Sequence, residues 1–362
     1  MLNDGNDGDV TVKKDIEFNS GNNWNIMFQS IGSERTLTVE GDINFNNNSA
    51  VFTAENAASS LVHKIRLQGD VINVNNNSDF QLYHNSSNTS ANLEFFGSGN
   101  SLLPNMPALP SFNKIVMNKV DNPTDTAFIQ SDFSLGADPS GNMGDKPVQL
   151  QYGILTLDNN TINADLSTGG EEFYIPSTSA LQVEQGQVNI SGGSGMLLDG
   201  TLQINGGTVD MSGGDNYIEY SASGNATLKV TTGDLTVGSQ IRRPLTTNEG
   251  ILNYSQTGGT VVVGETAAPE DNRGVLEILN SGSKFNHTGG ELFITRAQQN
   301  PSIAALYLDP EVSAVTNASD IHIGSSVTPN SQVIDVYSDM DIPNLTVNNA
   351  SGNTPKAKIS TV

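Results

Sequence analysis

The residues that could perform chemistry are few in this chain of 362 residues, and they are widely spaced. There is no cysteine, which excludes disulfides, thiolate metal sites and cysteine nucleophiles. The most basic spot is Arg242-Arg243-Pro244, in a segment that the pattern predicts to be a loop. A lyase needs a basic residue to remove a proton, so this pair is a candidate base. We interpret it instead as a solvated loop pair.

The four histidines are scattered through different predicted coils, and none shows a metal-ligand spacing such as His-x-His. They are His63, His84, His287 and His322. His287 occupies the position that Gln256 occupies in a matching repeat, which indicates a polar flank. We therefore predict no catalytic histidine.

The segment Asp4-Gly5-Asn6-Asp7-Gly8-Asp9 is the candidate cation site, because it combines three carboxylates with two turn glycines. It departs from the EF-hand pattern, since Gly8 stands where a ligand belongs and no glutamate closes the loop. A frayed acidic terminus is the other interpretation. We predict no catalytic, cofactor or metal residues, with calcium at this segment as the one cofactor left open.

Enzymes built on parallel β-helices include polysaccharide lyases and hydrolases. Polygalacturonase-like enzymes carry paired aspartates and a Gly-His-Gly element, and neither is present. The single Trp24 and the aromatic content of 6% argue against an extended sugar platform, and we interpret Trp24 as a core or capping residue. The prediction is that the chain is not an enzyme. A carbohydrate-active enzyme and a calcium-dependent binding module are the alternatives, and a carboxylate cluster on one face would favour the enzyme.

The net charge of -23 makes nucleic acid an unsuitable partner, because phosphate recognition needs a basic surface. No apolar run is long enough to span a bilayer, so no membrane insertion is predicted.

Short strands with two alternating apolar residues recur from end to end of the chain. Examples are Leu37-Thr38-Val39, Leu181-Gln182-Val183, Leu202-Gln203-Ile204 and Leu235-Thr236-Val237. Each places two side chains inward and one polar side chain outward. The spacing predicts three strands per coil, coils of about 20–30 residues, and about 14 coils in all. The predicted fold is all-β: a right-handed parallel β-helix, in a single elongated domain with loops on its flanks.

Closer copies support a repeat. Tyr254 to Val263 aligns with Phe285 to Ile294, with coincident aromatic, Thr-Gly-Gly and apolar positions. A shorter copy is Asn205-Gly206-Gly207-Thr208-Val209-Asp210-Met211. We expect the paired glycines to turn a corner where a Cβ would crowd the neighbouring coil.

The predicted organisation is one continuous β-solenoid over residues 1–362, as a fragment of a larger protein. A Pro- and Gly-rich segment, residues 101–147, is predicted to carry loops and interrupt the strand ladder.

The Thr-Gly-Gly copies, Ala305-Leu306-Tyr307-Leu308-Asp309-Pro310 and Asn344-Leu345-Thr346-Val347-Asn348-Asn349 resemble repeats in large adhesin-like surface proteins. Gliding bacteria export these proteins through the type IX secretion system, and similar strands occur in autotransporter passengers. The resemblance implies a non-enzymatic, extracellular or cell-surface stalk that serves attachment or gliding. Its expected partners are neighbouring domains of the same chain, surface glycans or other cell-surface proteins.

Overall fold

The fold is given by a computed structural model. It describes residues 9–19, 25–29, 33–46, 51–55, 62–76, 78–83, 90–120, 122–136, 147–166, 172–191, 195–221, 225–267, 269, 272–342, 344–348 and 354–359. Trp24, His84 and all of the candidate calcium segment except Asp9 lie outside these residues. The chain divides into two compact units, Met1–Thr168 and Gly169–Val362.

The first unit contains 17 short strands among its described residues. They are β1 (Val10–Val12), β2 (Ile16–Glu17), β3 (Asn25–Gln29), β4 (Thr36–Val39), β5 (Ile43–Asn44), β6 (Val51–Glu55), β7 (Val62–Leu67), β8 (Val71–Ile72), β9 (Asp79–Gln81), β10 (Ser90–Phe96), β11 (Ser101–Leu103), β12 (Ser111–Phe112), β13 (Ile115–Asn118), β14 (Thr126–Ile129), β15 (Ser134–Leu135), β16 (Val148–Leu157) and β17 (Asn163–Asp165).

The second unit contains the remaining 19 described strands. They are β18 (Phe173–Ile175), β19 (Ser179–Val183), β20 (Gln187–Asn189), β21 (Met196–Leu198), β22 (Thr201–Ile204), β23 (Thr208–Met211), β24 (Ile218–Tyr220), β25 (Asn225–Val230), β26 (Asp234–Val237), β27 (Ile241–Arg242), β28 (Ile251–Val263), β29 (Leu276–Ile278), β30 (Lys284–Ile294), β31 (Leu306–Leu308), β32 (Val312–Val315), β33 (Ser319–Ile323), β34 (Val333–Ser338), β35 (Leu345–Val347) and β36 (Lys356–Ile359).

Strands of successive coils pair in parallel, which makes each unit a stretch of β-solenoid. In the first unit, the ladders run β1–β4–β7–β10–β13–β16, β2–β5–β8, β11–β14–β16 and β3–β6–β9–β12–β15. In the second unit, three ladders follow β18–β21–β24–β27–β29–β31–β34–β36, β19–β22–β25–β28–β30–β32 and β20–β23–β26–β28–β30–β33–β35. The predicted all-β parallel solenoid is confirmed, and its right-handedness stays a prediction. No helix occurs among the described residues.

The units together contain about 11 turns, fewer than the 14 expected. Leu181 pairs with Leu202, a coil of 21 residues, whereas Ile241 pairs with Leu276, a coil of 35 residues. The longer coils include the loop residues on both sides of β28. The spacing of apolar residues along the chain does not reveal these loop insertions. The predicted number of coils is therefore higher than the number that the structure has.

The 101–147 segment contains five of the strands, β11 to β15, and these pair with strands of adjoining coils. The solenoid ladders therefore continue through its described part. Residues 137–146 lie outside the described residues. No helix in the described part of the chain is long and apolar enough to cross a membrane.

An interior stack of phenylalanines runs along the first unit. Phe18, Phe45, Phe80, Phe112 and Phe133 come from successive coils and are all buried. Adjacent ring centroids lie 5.4, 6.5, 5.5 and 6.4 Å apart. Aromatic pairs at these separations contribute beyond the burial of their area, so the stack helps fix the register of the coils.

The aligned repeats are neighbouring coils. Tyr254 pairs with Phe285, Gln256 with His287 and Val261 with Leu292, as the sequence alignment predicts. A Cβ on Gly258 would lie 2.5 Å from the Thr231 carbonyl oxygen, so the corner has no room for a side chain. The next residue, Gly259, also adopts a φ of +67°.

We expect Gly258→Val to lower the free energy of unfolding by about 1–3 kcal/mol, through a clash with backbone. Gly259→Val should lower it further, because it adds a left-handed backbone conformation that valine disfavours. Urea unfolding of both variants checks this. The control is Gly213→Ala, where a Cβ would meet its nearest atom at 3.5 Å. A Gly259→Val protein as stable as the parent would contradict the assignment of this corner.

Candidate functional site on the outer face of the second unit

One row of outward side chains crosses seven strands of the second unit in register. We call it the outer stripe, and it consists of Tyr174, Leu197, Glu219, Arg242, Glu277, Tyr307 and Tyr337. Successive strands lie about 4.8 Å apart, so neighbours in the stripe are within side-chain reach. Each of the seven directly follows a buried apolar residue of its strand, so its own side chain points to the opposite, outer face.

Arg242 lies at the middle of the outer stripe and is 5% exposed. Its guanidinium carbon lies 4.0 Å from the centre of the Tyr217 ring, and Nη2 lies 3.4 Å from Glu219 Oε2. Nη1 donates to Gln240 Oε1 at 2.8 Å. Arginine therefore joins an aromatic face to a carboxylate at this point.

A second carboxylate adjoins this group. The Tyr217 hydroxyl donates to Glu172, and burial together with this contact raises the pKa of Tyr217. Burial raises the pKa of the Glu219 carboxyl, while nearby Arg242 opposes that rise and Glu172 adds to it. The group of Glu172, Tyr217, Glu219 and Arg242 can donate and accept hydrogen bonds, and the raised pKa of Glu219 suits a carboxylic acid that donates a proton.

Glu277 differs from Glu219, because it is only 1% exposed and both of its carboxylate oxygens accept hydrogen bonds. Its Oε1 accepts from the Arg243 backbone N at 3.0 Å and from Arg243 Nε at 3.1 Å, and Oε2 accepts from Gly274 N at 3.2 Å. Arg273 Nε lies 3.6 Å from the same carboxylate. The Arg273 guanidinium also donates to the carbonyl oxygen of Pro244 at 2.7 Å. Glu277 therefore holds the loop that contains Arg243 and the loop that contains Arg273 and Gly274 against the sheet. We call this arrangement the Glu277 clamp.

The interpretation of Arg242-Arg243 as a solvated loop pair is therefore wrong. Arg242 belongs to β27, and the Arg243 side chain is only 12% exposed. Both are paired with carboxylates from neighbouring coils, Glu219 and Glu277, which are 23 and 34 residues away along the chain. That pairing depends on coil stacking, so no local sequence pattern reveals it.

The described histidines do not converge. His63 is fully buried and its Nδ1 accepts from Arg35 N at 3.0 Å, and burial lowers its pKa. His322 stacks on Phe293 with ring centres 4.3 Å apart. Among the described residues, no group of three or more His, Asp or Glu side chains is arranged to hold a metal ion.

His287 matches Gln256 in register, as the sequence predicts, but the prediction that it is a polar flank is wrong. It is fully buried, with Nε2 3.2 Å from the carbonyl oxygen of Gly290. Gln256 makes the equivalent bond from Nε2 to the Gly259 oxygen, also at 3.2 Å. Both side chains therefore support the glycine corner from inside the coil. Burial lowers the pKa of His287.

Comparison with known proteins identifies no matching protein family, no matching curated protein and no matching solved structure.

A buried lysine in the first unit was missed by the sequence reasoning. Lys119 is fully buried, and its Nζ donates to Ser101 Oγ at 2.6 Å and to the Gln68 carbonyl oxygen at 3.0 Å. Burial lowers its pKa to about 8, although Asp125 and Asp70 oppose the shift. The sequence does contain a sign of this burial. Ile115, Met117 and Lys119 are spaced two residues apart, so their side chains point to the same inward face of the strand.

We expect the first unit to become more stable as pH rises from 8 towards 10.5. In that window the unfolded chain keeps the Lys119 proton that the folded chain has lost, so the burial of charge is relieved. The free energy of unfolding should rise by on the order of 1 kcal/mol per pH unit. Urea unfolding from pH 7 to pH 9.5 measures it.

Lys119→Met should abolish this pH dependence, because methionine does not titrate. Lys114→Met is the control, because it replaces another buried lysine of the first unit and leaves Lys119 in place. Taking the difference between parent and variant removes the contribution of the tyrosines, which act in the opposite direction. An unchanged slope in Lys119→Met would show that Lys119 is not the titrating group.

Proposed function

We propose that this chain is a non-enzymatic structural and adhesive segment of a bacterial cell-surface or secreted protein. In this proposal the parent is an adhesin-like protein exported by the type IX secretion system, and it serves attachment or gliding. Neighbouring domains of the same chain and surface glycans are its partners.

The observation that carries the proposal is the coil-to-coil pairing within each unit. Parallel strands on successive coils satisfy each other's backbone hydrogen bonds, and fully buried ladders such as Val209, Leu235, Val261, Leu292 and Ile321 fill the interior. A force along such a stack is shared among many bonds, which suits a spacer. The charged groups of the Glu277 clamp, which are Glu277, Arg243 and Arg273, also have a structural role, because they hold two loops in place.

The exposed end of the outer stripe is the adhesive surface in this proposal. Tyr174 is 38% exposed, and its hydroxyl donates to Asp199 Oδ2 at 2.8 Å. An aromatic face beside a carboxylate offers a sugar both a ring to stack on and a hydrogen-bond acceptor. Surface glycans are therefore the ligand class that we propose.

The test is adhesion of beads coated with the 362-residue chain to surfaces carrying neutral or acidic glycans. We expect Tyr174→Ala to reduce bead retention about tenfold, because the variant loses an aromatic contact with the glycan. Leu109→Ala changes an exposed residue of the first unit and should retain adhesion. Absence of adhesion to every glycan, or equal adhesion by Tyr174→Ala, would contradict the glycan assignment.

Surface exposure has its own test. Antibodies against the chain should label intact cells of the producing bacterium. Labelling that requires permeabilised cells would contradict a cell-surface location.

A carbohydrate-active enzyme is the second candidate, favoured by the neighbouring carboxylates Glu172 and Glu219. Incubation with polyuronates and neutral glycans, with calcium supplied, should release no product from any of them. Cleavage that disappears in Glu219→Gln but persists in Glu249→Gln would replace the non-enzymatic proposal with this one.

A further inference from the structure

His287 is a fully buried titratable side chain at a glycine corner of the second unit. Its Nε2 lies 3.2 Å from the Gly290 carbonyl oxygen, which can only accept, so Nε2 carries the proton of the neutral imidazole. The other ring nitrogen, Nδ1, is also buried and has no hydrogen-bond partner among the described residues. The neutral ring therefore fits this position, and any further proton must bind at Nδ1.

The elements packed against β30 offer little compensation for a charge on this imidazole. β28 and β32 contain no acidic or basic residue, and Tyr254 of β28 stays neutral because burial raises its pKa. Asp320 of β33 favours the charged imidazole, but burial has the larger effect and lowers the pKa of His287. The other charged or titratable groups of β29, β30 and β33 face outward, and they are Glu277, Lys284, Glu291 and His322.

A proton on Nδ1 would therefore place a positive charge and an N–H donor without an acceptor inside the coil. Burial of such a group is costly. In the unfolded chain the imidazole is hydrated, and its pKa is about 6.5. Below that pH the unfolded chain holds a proton that the folded chain lacks, so the second unit loses stability as the pH falls.

We propose that His287 is a pH-sensitive support of the second unit, and that its protonation at Nδ1 opens the corner at Gly289 and Gly290 in acidic solution. The Nε2 bond holds this corner at Gly290, which has a φ of +86° and no side chain of its own to make a contact. Ser319 of the next coil donates to the His287 carbonyl oxygen, so opening at His287 also weakens a contact between coils. This response is independent of the ligand that the outer stripe binds.

The neighbouring coil has the same support without the titratable group. Gln256 is in register with His287 and is also fully buried, and its Nε2 donates to the Gly259 carbonyl oxygen at 3.2 Å. Glutamine therefore fits such a corner and forms the equivalent bond. His287→Gln removes the proton-binding nitrogen and keeps a donor for the Gly290 oxygen, which makes it the matched variant for a test.

Hydrogen exchange of the 362-residue chain, measured by mass spectrometry from about pH 7.5 to about pH 5, tests the proposal. Parent and variant are compared at the same pH, so that the chemical exchange rate cancels. We expect the opening constant of residues 284–294 in the parent, relative to His287→Gln, to rise up to about tenfold per pH unit below the ordinary histidine pKa. Asn286→Gln, which changes the outward neighbour in the same strand, should keep the response of the parent. Equal pH dependence in the parent and in His287→Gln would overturn the proposal.

Nitrogen NMR spectra of the imidazole rings test the same point without any substitution. In the folded chain at about pH 6, His287 should remain the neutral tautomer with its proton on Nε2. A return to neutral pH should restore slow exchange at the corner. A His287 ring that becomes charged while the amides of residues 288–291 stay protected would show that the interior tolerates the charge, and this result would also overturn the proposal.

Discussion

Leu292→Asp should lower the free energy of unfolding of the second unit by at least about 4 kcal/mol. Leu292 is fully buried and lies in register between Val261 and Ile321, which are also fully buried. The carboxylate would have apolar neighbours on both adjoining coils. It would lose its hydration and gain no cation or hydrogen-bond donor in return. Equilibrium unfolding in urea gives the change directly.

Two comparison variants separate the causes of this loss. Leu292→Ala creates a cavity without a charge and should lower the free energy of unfolding by about 2–4 kcal/mol. Leu345→Asp makes the same substitution in the same ladder at a position that is 36% exposed, and should cost under about 1 kcal/mol. If Leu292→Asp and Leu345→Asp were equally stable, the ladder register would be misassigned.

Glu277→Ala should lower the free energy of unfolding by about 3–5 kcal/mol, because it removes the carboxylate that neutralises two largely buried arginines. Arg243 and Arg273 would lose their shared carboxylate, and the backbone N–H of Gly274 would lose its acceptor. The loops that these residues hold should then exchange their amide hydrogens faster. Urea unfolding and hydrogen exchange of residues 243–250 and 272–274 measure the two effects.

Glu219→Gln is the comparison variant, which removes a charge from a less buried carboxylate and keeps the size of the side chain. Glu219 lies in the same outer stripe and pairs with Arg242, but its side chain is 19% exposed, so water can compensate for the lost charge. We expect a change under about 1 kcal/mol. Equal losses in Glu277→Ala and Glu219→Gln would show that the clamp does not depend on burial.

The repeat alignment illustrates how far local pattern extends. Tyr254, Gln256 and Val261 were matched to Phe285, His287 and Leu292 by sequence, and the structure pairs the same residues. The glycine positions were also predicted, but the strained conformation belongs to Gly259 and Gly290 rather than to Gly258 and Gly289. A repeated Thr-Gly-Gly sequence shows that a corner is present. It does not show which of the two glycines adopts the left-handed backbone conformation.

The sequence by itself determined the all-β class, the inward and outward alternation and the glycine corners, because these depend on residues within a few positions of each other. The tertiary structure decided the environments of Arg242, Lys119 and His287. Each is surrounded by residues one coil away, and coils range from 21 to 35 residues in length. Burial therefore depends on the stacking register, which loop insertions shift. The same dependence hides the Glu277 clamp from the sequence, because Glu277 and its partner Arg243 are 34 residues apart along the chain.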